Sequence, residues 1–157
     1  MRDLSSFLPD DTATRKAGAA LAPFLRTGDV IALYGGLGAG KTTLSRGLIS
    51  ALMGTPTEVP SPTYTLLQTY NAPNFPLYHF DLYRLKTPDE LIELGWDDTQ
   101  NGVALIEWPE RAGDALPVWR LDIRLESSED GRKLRLEAHG EDWQTRLDGF
   151  RFDDTTG

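Results

Sequence analysis

Five apolar residues, Val30-Ile31-Ala32-Leu33-Tyr34, run into Gly35-Gly36-Leu37-Gly38-Ala39-Gly40-Lys41-Thr42, and Leu44, Leu48 and Leu52 follow at every fourth position. An apolar run without polar alternation predicts a strand covered on both faces. The leucine spacing predicts a helix from about Lys41 to Met53, stopped by Gly54. The eight residues between fit G-x-x-x-x-G-K-[ST] letter for letter, and strand, glycine turn and helix are the setting that this phosphate-binding loop requires.

The chemistry behind the pattern is charge. A nucleoside triphosphate carries about four negative charges, and a glycine-rich turn answers with converging backbone N–H groups and the unpaired donors of a helix N-terminus. Glycine at 35, 36, 38 and 40 lets the backbone curl close to the phosphates without a Cβ in the way. In such a loop Lys41 reaches the β- and γ-phosphates, the Thr42 hydroxyl ligates Mg2+, and Thr43, one position further on, bonds the α-phosphate. The expected ligand set is therefore Gly36, Leu37, Gly38, Ala39, Gly40, Lys41, Thr42 and Thr43.

Mg2+ needs further hard oxygen ligands, best placed at the C-terminal end of a strand beside the loop. Two carboxylates qualify, Asp81 at the end of Leu77-Tyr78-His79-Phe80-Asp81 and Glu107 at the end of Val103-Ala104-Leu105-Ile106-Glu107. Either could hold the ion while the other orients the attacking water; spacing leaves the division open. Each could instead cap a helix or pair with Arg84 or Arg111. Ser61-Pro62-Thr63-Tyr64 lies where nucleotide hydrolases place a segment that senses the γ-phosphate, although Ser-Pro and Thr also suit a turn before a strand. His79 reads as packing, because His139 is its sole companion and a histidine-rich metal centre needs more. Trp108 reads as core, with a cover for the nucleotide as the alternative. Arg132 reads as an exposed turn residue, with a phosphate or ribose contact as the alternative.

Elsewhere, Asp10, Asp11 and Thr12 offer caps for a helix through Leu25 that Pro23 bends or shortens. Tyr64 to Tyr70 and Leu77 to Asp81 read as a hairpin, and Thr87-Pro88-Asp89-Glu90 as a helix start with a capping-box glutamate. Trp119, Leu121, Ile123 and Leu125 alternate with polar residues, and Leu134 and Leu136 repeat the pattern after a turn at Asp130-Gly131. The expected fold class is α/β: a P-loop NTPase-type three-layer sandwich with a mixed, centrally parallel sheet and antiparallel C-terminal strands. All 157 residues are expected to form one domain, with a flexible tail after about residue 150.

Composition narrows the function. Cysteine is absent, so thiolate catalysis and cysteine-bound zinc are excluded. Sixteen basic against twenty-four acidic residues give a net charge of -8. That field repels nucleic-acid backbones and disfavours autonomous nucleic-acid binding. No apolar stretch approaches the roughly 18–20 residues of a membrane span, and no secretory signal is visible, which makes a cytoplasmic place the expectation. The GTPase N-K-x-D does not occur, and no glycine follows Asp81 at the D-x-x-G spacing, leaving ATP as the expected nucleotide. No arginine finger is evident, so hydrolysis is expected to be slow until a partner completes the site.

Four segments in order, GGLGAGKTT from Gly35, SPTYTL from Ser61, YHFDLYRL from Tyr78 and LIEWP from Leu105, resemble the TsaE family. Gly36 stands where that family often has aspartate. The resemblance runs from about Leu8 to Arg132 and implies an accessory ATPase rather than a transferase. It implies ATP and Mg2+ as cofactors and TsaD and TsaB as partners, with tRNA engaged only through them. That pair transfers threonylcarbamoyl to adenosine 37 of ANN-decoding tRNAs. It also implies metal binding at Thr42 and Glu107, a second essential acid at Asp81, and adenine near Leu8 and Thr12. A small-molecule kinase and a non-catalytic ATP sensor are the alternatives that the loop alone permits.

Overall fold

Val30–Tyr34 forms a strand, here β2, whose alternate side chains enter two different cores: Ile31 and Leu33 pack on one face and Val30 on the other. This two-sided burial is why the run carries no polar alternation. The computed structural model describes residues 3–36, 40–59 and 66–150. Seven strands form one sheet in the order β1-β7-β6-β2-β5-β4-β3: β1 (Asp3–Leu8), β3 (Leu67–Asn71), β4 (Pro76–Asp81), β5 (Val103–Glu107), β6 (Arg120–Ser128) and β7 (Gly131–His139) join β2. β4, β5, β2 and β6 are mutually parallel, while β3, β7 and β1 pair antiparallel with their neighbours.

Two helices cover one face, α1 (Asp11–Leu21) and α2 (Lys41–Met53). The Asp10 carboxylate accepts from the Ala13 N–H at 2.8 Å and so starts α1. Before Pro23 the α-helix gives way to a 3-10 turn over Ala22–Phe24, as the proline predicts. α2 ends at Gly54, whose left-handed φ of 78° lets its N–H reach back to Ser50 and Ala51. The two helices cross at glycines: a Cβ on Gly47 would lie 2.0 Å from the Arg15 carbonyl, and one on Gly18 would lie 2.3 Å from that of Leu44. Leu21, Leu44, Leu48 and Ile49 thereby reach the core over Ile31, Leu33, Leu121 and Ile123. The other face is covered at the β2-β5-β4 side by α3 (Glu90–Glu93) and by 3-10 turns over Trp96–Asn101 and Pro109–Ala115, around Phe80, Leu91 and Ile106.

Several expectations need correcting. The helix begun at Thr87 has only one α turn, although Glu90 does accept from the Thr87 N–H at 3.1 Å as the capping box predicts. Trp119 is not an inward strand residue: it precedes β6 and is 76% exposed. Two elements add to the expected set: Asp3–Leu8 is an edge strand, and a helix α4 (Glu141–Leu147) packs Trp143 and Leu147 into the core. Of the polar residues that alternate along β6, Asp122 is buried between Arg120 and His139. The segments at 37–39 and 60–65, and the expected tail at 151–157, lie outside the described residues. Among the described residues no helix is long and apolar enough to cross a membrane.

Parallel pairing decides where the chemistry can collect. Leu33 of β2 stands beside Glu107 of β5, and Glu107 beside Asp81 of β4, so three strands deliver their C-terminal ends to one edge. In open α/β sheets that crevice is where ligands bind.

Candidate active site

Lys41 is the first residue of α2, immediately after Gly40, whose φ of 100° makes the sharp entry that glycine accepts. Its side chain is only 5% exposed. The ammonium donates to the Gly35 carbonyl at 2.6 Å and sits 3.7 Å from the centre of the Trp108 ring. Burial pushes the Lys41 pKa down, opposed by the carboxylates of Glu107, Glu110 and Asp81. A cation held this way, against one carbonyl and one ring face, is poised for an anion that can offer it more.

One residue on, the Thr42 hydroxyl lies 3.2 Å from Oε1 and 3.4 Å from Oε2 of Glu107. Glu107 ends β5 and is 3% exposed. Hydroxyl and carboxylate therefore form a compact set of hard oxygens, the donor chemistry that Mg2+ prefers. Asp81 is 4% exposed and is the register neighbour of Glu107. Its Oδ1 accepts from the Tyr83 N–H at 3.0 Å, and its own N–H donates to the Leu66 carbonyl at 3.0 Å.

Two non-glycine residues with left-handed backbones flank these acids, Trp108 (φ 58°) and Leu66 (φ 64°). Such conformations cost roughly 1–2 kcal/mol each and persist where the surroundings fix them. At Trp108 the reward is placement: the turn swings the indole between Lys41 and the Tyr83 ring, whose centre is 4.9 Å away. Trp108 is thus half-buried, packed against the second core while its ring covers the lysine.

Two further residues, His79 and Arg132, join the site. His79 lies in the same strand as Asp81 and on the same face, and its Nε2 is 2.6 Å from Glu107 Oε2. The available signal was parity, since positions 79 and 81 of β4 and 107 of β5 fall on one side of the pleat. Arg132 is no free turn residue. It donates to Asp11 Oδ1 at 2.7 Å and Thr14 Oγ1 at 3.0 Å, and its guanidinium stem lies where a Cβ on Gly40 would point. It also walls a cavity of about 240 Å3 shared with residues 8–11 and with Ser127 and Ser128.

Lys41, Thr42, Asp81 and Glu107 are thus gathered, with Gly36 exposed at the end of β2 and Thr43 half-buried in the first turn of α2. Thr12 is exposed on α1, and its neighbours Asp10 and Asp11, not Thr12, line the cavity. Leu37, Gly38 and Ala39 of the expected ligand set, and Ser61 to Tyr64, are outside the described residues.

Residues 8–134 match the family model described as threonylcarbamoyl adenosine biosynthesis protein TsaE. A tRNA threonylcarbamoyladenosine biosynthesis protein TsaE of Rickettsia conorii is 42% identical over 81% of this chain and 73% of its own length. The Haemophilus influenzae protein of the same name is 39% identical over 88% of this chain and 91% of its own. The crystal structure of Bacillus subtilis YdiB superposes with a TM-score of 0.79 at 31% identity, covering 94% of this chain and 93% of that one. The expected P-loop NTPase-type α/β fold is borne out.

Proposed function

The chain belongs to the TsaE family of threonylcarbamoyl adenosine biosynthesis proteins, and from that premise we propose that it is an Mg2+-dependent ATPase. In this reading it serves the threonylcarbamoyl modification of adenosine 37 in ANN-decoding tRNAs. It acts in the cytoplasm with TsaD and TsaB and meets tRNA only through them. The observation that carries the reading is the contact of Thr42 with Glu107 beside a buried Lys41. Nothing in the packing of a sheet edge calls for a hydroxyl, a carboxylate and an ammonium drawn together out of water, where each is costly to bury. Polyphosphate with its cation answers all three.

The residues divide the work by charge. Lys41 exchanges the Gly35 carbonyl and the Trp108 face for the β- and γ-phosphate oxygens, meeting negative charge that builds on the transferred group. Thr42 and Glu107 offer oxygens to the ion, which when bound neutralises the β- and γ-phosphates. Asp81, next to Glu107 but fixed by Tyr83 and Leu66, orients the attacking water. Arg132 is already committed to Asp11 and Thr14, so the transition-state cation that faster P-loop enzymes supply themselves is left to a partner.

The test has two arms. ATP turnover is measured alone and with TsaB plus TsaD, with acceleration by the pair expected. Equal rates would remove partner activation from the reading. Transfer RNA from cells depleted of this protein is expected to lose the threonylcarbamoyl mark, and a fully modified pool would end the pathway assignment.

A further inference from the structure

We infer that His79 is a positioning residue for Glu107: its Nε2–H holds one carboxylate oxygen so that the other faces Thr42 and the cation. The inference rests on reading Glu107 as the carboxylate that receives Mg2+. His79 is 0% exposed, closed off from bulk solvent, and it acts through its neighbour. The two oxygens of Glu107 are unequally placed, Oε2 at 2.6 Å from His79 Nε2 and Oε1 nearer the Thr42 hydroxyl.

The proton between His79 and Glu107 has two possible owners. The other ring nitrogen, Nδ1, is buried and has no hydrogen-bond partner among the described residues. If the proton belonged to Glu107, the ring would carry its hydrogen on Nδ1 as a buried donor with no acceptor among the described residues, and the carboxyl would lose the negative charge that a cation needs. With the proton on Nε2 the carboxylate stays ionised, and the bond becomes a charge-assisted one. A neutral donor is also the right kind of partner. A lysine or arginine there would orient Glu107 equally well but would cancel its charge and compete with the ion, whereas an imidazole N–H aims the carboxylate without neutralising it.

Three variants and one spectrum test the inference. The affinity of the protein for a non-hydrolysable ATP analogue is measured by calorimetry across a Mg2+ series. His79→Phe, which keeps the bulk and loses the donor, is expected to raise the Mg2+ midpoint roughly 10–100-fold while leaving metal-free nucleotide affinity unchanged. His79→Gln, whose amide nitrogen can take the place of Nε2, is expected to recover most of that loss, which a merely structural residue would not show. Nitrogen-15 spectra of the nucleotide-free protein are expected to show His79 protonated at Nε2 and bare at Nδ1, a readout that needs neither metal nor a folded Phe variant. A proton on Nδ1 overturns the inference, as does an unchanged midpoint in His79→Phe where Glu107→Gln shifts it. If Glu107→Gln itself leaves the midpoint unchanged, the reading of Glu107 has failed first, and the inference falls with it.

Discussion

Lys41 holds its ammonium 3.7 Å from the centre of the Trp108 ring while donating to the Gly35 carbonyl at 2.6 Å. The lysine is thus pre-packed at the helix start, and in the proposed function a phosphate would have to draw it from the indole. A cation over an aromatic face is stabilised by about 0.5–2 kcal/mol, less than charge-assisted bonds to phosphate provide together.

Two consequences are measurable. Tryptophan emission is expected to change when Mg2+ and ATP are added, and the change is expected to vanish in Trp108→Phe but survive in Trp119→Phe, whose indole is exposed and outside the site. Lys41→Ala is expected to weaken ATP binding by at least about 10–100-fold, the equivalent of one charge-assisted bond of roughly 1.5–3 kcal/mol. Unaltered calorimetric affinity in that variant would remove Lys41 from the phosphate site.

Asp81 and Glu107 are register neighbours with different partners, and so they should fail differently. Glu107 faces the Thr42 hydroxyl, whereas Asp81 accepts from Tyr83. Asp81→Ala is expected to hold ATP within a few-fold of the parent while turnover falls by roughly 10²–10⁴, the usual weight of a positioned acid or base. Calorimetry and a phosphate-release assay on the same preparation separate the two effects. If turnover survived, Asp81 would have no catalytic part.

Local pattern sufficed where a segment's environment is uniform along its length. Val30–Tyr34 is apolar because both its faces are covered, and Leu44 and Leu48 recur because one stripe of α2 faces the sheet. Pattern failed where a partner far along the chain decides. Asp3–Leu8 is a strand because it pairs with residues 132–137 of β7, and two serines in its middle mute any alternation. His79 and Glu107 are 28 positions apart, Thr42 and Glu107 65, and Arg132 reaches Asp11 across 121. Such meetings belong to topology, and only the parallel order of β4, β5 and β2 brings the first two about. Trp119 misled for another reason: its parity matches Leu121, but it precedes the first residue of β6, so the pleat no longer directs it inward.

Gly47 and Gly18 set how closely α1 can approach α2, and that approach also seats the helix carrying Lys41 and Thr42. Gly47→Ala places a methyl group 2.0 Å from the Arg15 carbonyl, a backbone atom that cannot swing aside. In an ordinary helix interior the same change would stabilise by up to about 1 kcal/mol. Here overpacking is expected to prevail and cost about 1–3 kcal/mol, read as a lower urea midpoint with little change in slope. A midpoint at or above that of the parent would show that the helices separate freely.

Across β6 and β7, Arg124 stands directly opposite Arg135 and Asp122 directly opposite Glu137, so like charges face each other and relief must come from other neighbours. Glu137 supplies it by accepting from Arg124 Nε on the diagonal and from Arg135 Nη2 along its own strand. Burial alone would push the Glu137 carboxyl up, but the hydrogen bond and charge of Arg124, with the charge of Arg135, outweigh it and hold the pKa below its ordinary 4.5. A carboxylate whose folded pKa is depressed contributes stability that is fully present above its unfolded pKa and is lost as pH falls through the lower folded value. Arg124 is 40% exposed, so solvent screening keeps the contribution below about 1 kcal/mol. Glu137→Gln is therefore expected to melt slightly below the parent at neutral pH, and the gap is expected to close as pH falls below the ordinary carboxylate range and through the depressed folded pKa, where the parent's carboxyl is itself protonated. A gap that stayed constant over that range would mean that Glu137 contributes through packing alone and that the diagonal pairing adds no net stability.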